Sequence, residues 1–197
     1  MRAISGWPLE LSTALLLAAL WGCGRSATAS PETPAAPTAS RQVPLSRLIV
    51  LETSGPPPPD TSVTFTTGSR RTIVMYHGGE NITFARLTFE PGAFADSGGT
   101  VRVEVRPRPG IYGLDLTTSL PLREKQADVV FEYSRYFSAP ARARQVFGSD
   151  IAFERALAVG RPLADAQVEL LPSTRPAADN LRAELPAPGS YIVGAPQ

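Results

Sequence analysis

The sequence predicts an all-β fold, an antiparallel β-sandwich preceded by a signal peptide and a disordered tether. Three observations carry that expectation. Val101, Val103 and Val105 alternate with Arg102 and Glu104, the pattern of a strand with one face in a core. Short β-branched and aromatic runs recur between Gly and Pro punctuation from Leu45 to the end. No stretch shows a convincing amphipathic helical period. Of the 197 residues, 43% are hydrophobic and 19% charged. A folded part of about 150 residues would bury about 70% of its unfolded surface, enough for a core without disulfide staples.

In chain order, Leu48 to Glu52 reads as the first strand, and Pro56 to Pro59 as a rigid exposed connection. Ser62 to Thr67 and Thr72 to Tyr76 follow, and Gly78-Gly79 turns the chain into a hairpin. Within Asn81 to Glu90 the apolar pairs Ile82/Phe84 and Leu87/Phe89 slip by one, which a bulge near Ala85-Arg86 would reconcile with a single buried face. After the valine strand, further strands are expected at Tyr112 to Thr117, Asp128 to Ser134, Ile151 to Val159, Gln167 to Leu171, Leu181 to Leu185 and Ser190 to Gly194. Ser149-Asp150 could instead cap a helix ending at Gly160, but Ile151, Phe153, Leu157 and Val159 fall on a period of two, which favours a strand.

The N-terminus, residues 1–22, has the layout of a signal peptide: Arg2, a mostly apolar run from Leu11 to Leu20, and a small residue at Gly22. That run is well short of the roughly 20 residues that span a bilayer. Leu20-Trp21-Gly22-Cys23 resembles the bacterial lipobox, with Leu at minus three and a small residue at minus one before a cysteine. The resemblance implies that Cys23 is diacylated and becomes the mature N-terminus. Two acyl chains anchor stably where one holds only marginally. The alternative is an ordinary secretory signal cleaved near Ala27 or Ala29. The single cysteine favours lipidation, because a lone thiol in an exported protein is otherwise left unpaired. Fifteen of the twenty-one residues from Gly24 to Pro44 are Ala, Pro, Ser or Thr, so residues 23–44 read as a lipidated tether and residues 45–197 as the sandwich. The expected location is the bacterial cell envelope, and Gly24 rather than Asp after the cysteine points to the outer membrane.

The stretch Leu87-Thr88-Phe89-Glu90-Pro91-Gly92-Ala93-Phe94, followed by the valine strand, resembles the signature of the β-sandwich domain shared by zona-occludens protein, netrin receptor and ankyrin. Ala127 to Tyr133, Val168 to Ser173, and Leu181 to Leu185 followed by Ser190 to Val193 are similar to later strands of that family. The resemblance implies a structural or partner-binding module without catalysis. Some members cleave their own backbone at a His-Phe-Ser motif before the closing tyrosine; here Ala187, Pro188 and Gly189 stand there, so no autoproteolysis is expected, although Ser190 is adjacent.

Charge and residue counts narrow the chemistry. A net charge of +1, with eighteen arginines and only Lys125 as lysine, argues against a nucleic-acid partner. One cysteine and one histidine exclude cysteine-rich metal cages and leave little acid-base chemistry, so no metal or other cofactor is expected. His77, beside Glu80, reads as a polar residue at a hairpin end. Glu90, Asp96, Glu104, Asp115 and Glu132 could supply a carboxylate pair for glycoside hydrolysis but fit solvated faces better. Asp96 to Thr100 is a turn. The one binding surface that can be sketched lies at Phe131 to Phe137: with Phe131 and Tyr133 inward, Tyr136 would offer a ring to a sugar or a partner protein of the envelope.

Overall fold

The computed structural model describes residues 39–197. The expected signal peptide, Cys23 and most of the tether lie outside the described residues. Among those described, no helix is long and apolar enough to cross a membrane.

The chain runs β1 Arg41–Pro44, a 3-10 turn Leu45–Arg47, β2 Leu48–Val50, β3 Glu52–Thr53, β4 Thr61–Thr66, β5 Arg71–Tyr76, β6 Thr83–Phe89, β7 Thr100–Pro107, β8 Gly113–Thr118, β9 Ala127–Glu132 and β10 Phe137–Ser138. Two short helices follow, α1 Ala141–Phe147 and α2 Asp150–Ala156. The closing strands are β11 Ala158–Pro162, β12 Gln167–Leu170, β13 Ser173–Thr174, β14 Asn180–Glu184 and β15 Gly189–Pro196. All pairings are antiparallel. One sheet has the order β1-β12-β11-β15-β8-β7-β4 with β2 also on β15, a second is β13-β14-β9-β6-β5, and β10 pairs with β3 in a two-stranded ribbon. The antiparallel β-sandwich read from the sequence is the fold.

The core forms where the two inner faces meet. Val101, Val103 and Val105 are fully buried from the large sheet, and Leu87, Val129 and Phe131 meet them from the small one. The rings of Phe84 and Tyr112 stack at 5.4 Å, and Phe89 stacks on Phe94 at 5.5 Å. A smaller cluster of Leu48, Ala158, Val168, Leu170 and Ile192 packs separately. On β15, Ile192 serves that cluster while Tyr191 and Val193 serve the main one, because successive side chains leave opposite faces of a strand.

Three expectations are corrected. Ile151–Val159 is not one strand: residues to Ala156 form α2, and the strand begins at Ala158. The Ser149 hydroxyl accepts the Ala152 amide, an N-cap, and Asp150 places a carboxylate in the first turn, so local capping overrides the period of two. A second helix, α1, precedes it and ends at Gly148, whose φ of 76° is a left-handed cap. The last four residues assigned to the tether form β1, the edge strand of the large sheet, paired with β12, with Val43 packed on the small cluster. The expected bulge is present beside Ala85, with Phe84 as its extra residue, since Met75 pairs with Ala85 and Tyr76 with Thr83; Phe84 and Ala85 are both buried as a result.

Candidate functional site

The residues singled out for chemistry converge at one end of the sandwich, where the β5–β6 hairpin meets the proline run. Gly79, at φ 74°, permits the turn that the Glu80 amide closes on the His77 carbonyl. That turn directs His77 inward. The side chain is 1% exposed, with its ring edge-on to Phe84 at 5.4 Å and to Tyr112 at 6.1 Å. Its Nδ1 lies 2.9 Å from the carbonyl oxygen of Pro56; a carbonyl only accepts, so Nδ1 carries the proton and donates. Nε2 is buried and has no hydrogen-bond partner within the chain. The histidine therefore fastens the proline run to the hairpin. Pro58 is buried while its three neighbours are exposed, so packing holds the connection at a second point.

Tyr136 closes the other side of this clasp. Its ring meets the His77 ring at 4.6 Å, and its hydroxyl donates to the Glu80 carboxylate. That bond holds the Tyr136 hydroxyl above the usual phenol range, because the anion would face a carboxylate. The ring also covers Gly55: a Cβ there would stand 2.4 Å from Tyr136 Cδ2 and 2.9 Å from His77 Nδ1. Tyr136 is thus half-buried with its hydroxyl engaged, while Phe131 and Tyr133 face the core as the sequence implied. Sequence reasoning placed His77 and Glu80 together but had no means of bringing Tyr136 to them across the fold.

The acidic residues do not pair with one another. Glu90 meets Arg70 at 3.3 Å, Glu104 meets Arg102 at 2.8 Å, and Glu132 meets Arg86 at 2.5 Å. Asp115 accepts from the Ser190 hydroxyl at 2.5 Å and lies 3.6 Å from Arg108. Ser190 thus sits beside a carboxylate, while the one histidine, on the β5–β6 hairpin, donates to Pro56 of the proline run. Among the described residues, no three His, Cys, Asp or Glu side chains converge as a metal site. Asp96 to Gly99 is a turn whose Asp96 and Gly99 carbonyls accept from the Thr67 hydroxyl, at 2.5 and 3.2 Å.

One polar constellation escaped the sequence altogether. The Tyr133 hydroxyl, at the end of β9, bonds Glu154 Oε1 of α2 at 3.1 Å and receives the guanidinium of Arg175, which also donates to the Glu154 carbonyl. Burial pushes this phenol well above its usual range, and burial raises Tyr112 to about 12. Tyr191, also raised by burial, donates to the Ala187 carbonyl four residues upstream. The contacts of Tyr133 with Glu154 and Arg175 span 21 and 42 positions, so no local pattern announces them.

The fold and these contacts define a class: an antiparallel β-sandwich with a histidine clasp on a proline run. Comparison with protein-family models, curated proteins and solved structures finds no match.

Proposed function

We propose that the protein is a lipid-anchored lipoprotein of the bacterial cell envelope whose β-sandwich is a non-catalytic structural or protein-interaction module. The observation that carries the non-catalytic half is the clasp itself. The one histidine turns its Nδ1 to a backbone carbonyl in a buried aromatic setting, and the Glu80 carboxylate at the end of the same turn is bonded by Tyr136. A general base needs a lone pair within reach of substrate, and here the free Nε2 is enclosed by rings. The anchor half rests on Leu20-Trp21-Gly22-Cys23 and the Ala/Pro/Ser/Thr-rich stretch after it. The resemblance of Leu87–Phe94 to the zona-occludens, netrin-receptor and ankyrin domain agrees with a partner-binding role.

Cell fractionation and N-terminal mass analysis of wild type and Cys23→Ser test the reading. Wild type should partition into detergent with an acylated Cys23, and the variant should be unprocessed or soluble. A mature chain starting after Ala27 or Ala29 without lipid would overturn it.

A further inference from the structure

We infer that the 3-10 turn Leu45–Arg47 and the α1–α2 corner form a second membrane contact, which seats the folded domain on the anionic lipid surface that its anchor enters. This rests on the anchor half of the proposed function and adds a site on the domain itself. Of the four large apolar side chains that the described residues leave exposed, three are here: Leu45, Val146 and Ile151, the last 63% exposed. A single exposed apolar residue is ordinary on a protein surface. These three are set apart by what accompanies each.

An exposed arginine stands within a turn of every one. Arg142 and Val146 are four apart on α1, and Ile151 and Arg155 four apart on α2, so each pair shares a helix face. Leu45 and Arg47 share the 3-10 turn. Two hydrogen bonds join the turn to α1: Arg142 donates to the Gln197 side chain at 2.9 Å, and the Gln197 amide donates to the Arg47 carbonyl at 2.9 Å. Among the described residues, Arg47, Arg142 and Arg155 have no carboxylate at ion-pair distance. The acids nearby are mostly engaged, Asp150 by Arg144 at 2.6 Å and Glu154 by Tyr133. Asp165 is the opposing charge, next to the Ala166 carbonyl that accepts the Leu45 amide. Apolar tips that enter the acyl boundary, flanked by long cationic side chains that reach the phosphates, suit an anionic bilayer.

The place of this patch in the chain names the occupant. Seventeen residues separate Cys23 from Arg41, where the fold begins, a reach of at most about 60 Å. Leu45 follows four positions later. On the anchor reading the bilayer is always within range of this end, and a contact linked in that way needs little affinity of its own.

Both tryptophans, Trp7 and Trp21, precede Cys23, so a tryptophan placed in the mature chain reports alone. Ile151→Trp reads the contact. Ser69→Trp reads the far end of the small sheet, since Arg71 pairs with Phe89 and Phe89 with Ala127, while α2 meets Tyr133 past the other end of β9. The mature lipidated chains are reconstituted into vesicles of phosphatidylcholine, alone or in equal parts with phosphatidylglycerol. With phosphatidylglycerol, emission from Ile151→Trp should shift to the blue and be quenched by brominated lipid, and that from Ser69→Trp should do neither. Adding Arg142→Ala and Arg155→Ala should lower the docked-to-undocked ratio about 25-fold, at roughly fivefold per arginine, with the thermal midpoint within a few degrees of the parent. Identical Ile151→Trp emission on the two vesicles, equal quenching of Ser69→Trp, or indifference to loss of the arginines each overturns the inference. So does a blue shift that brominated lipid leaves unquenched, the sign of a protein cover such as a second copy. The N-terminal mass of the same samples reads the anchor separately. An unlipidated chain overturns the anchor; added to the same vesicles at high lipid, it upholds the docking by a quenched blue shift and overturns it by none.

Discussion

Nδ1 of His77 lies 2.9 Å from the carbonyl oxygen of Pro56, and this single contact ties the proline run to the β5–β6 hairpin. Around it, Tyr136 packs at 4.6 Å from the imidazole and Glu80 receives the Tyr136 hydroxyl, so three distant segments share one lock.

His77→Ala removes both the donor to Pro56 and the ring against Phe84 and Tyr112. The expected cost is about 2–4 kcal/mol, combining a lost buried hydrogen bond with a cavity. Urea denaturation measures it. Limited proteolysis should open new cleavage within residues 53–60, where the connection is no longer held.

Gly55→Ala places a methyl 2.4 Å from Tyr136 Cδ2 and should cost about 1–3 kcal/mol through overpacking. In a Tyr136→Ala background most of that cost should vanish. A double-mutant cycle reads the coupling directly, and additive penalties would count against the contact.

Ser149→Ala deletes the cap on α2 and should destabilise the protein by about 1 kcal/mol, whereas Ser149→Asp should be nearly neutral. Thermal unfolding of the two variants separates capping from any general effect of changing the residue.

Tyr112, Tyr133 and Tyr191 are all raised by burial, Tyr112 to about 12. A phenol in the unfolded chain ionises near 10. The folded state therefore holds protons that the unfolded state releases, and the stability from this source is complete below about pH 10 and falls as the pH rises through 12. Denaturation midpoints should drop steeply in that window. Tyrosine absorbance should show a late-ionising fraction that disappears in denaturant. Tyr133→Phe should make the drop shallower.

The fold was legible because its signals are local. Val101, Val103 and Val105 announce one buried face by themselves, Gly78-Gly79 announces a turn, and the phase slip before Leu87 announces a bulge within a residue or two of where Phe84 makes it. The helix at Asp150–Ala156 was carried by a cap that competed with a period of two, and seven residues are too few for period alone to decide. β1 was hidden because pairing at a sheet edge is made by backbone groups, which composition does not display.

The sequence alone determined the all-β class, most of its longer strands and the residue types able to do chemistry. Only the tertiary structure decided what those residues touch. Tyr136 looked like an outward ring because alternation along a strand places it so, yet the chain has left β9 by then and turns back on His77, 59 positions earlier. Sequence periodicity encodes which face a side chain takes within one element. It carries no information on which distant element will meet that face, since that is set by the joint packing of both sheets.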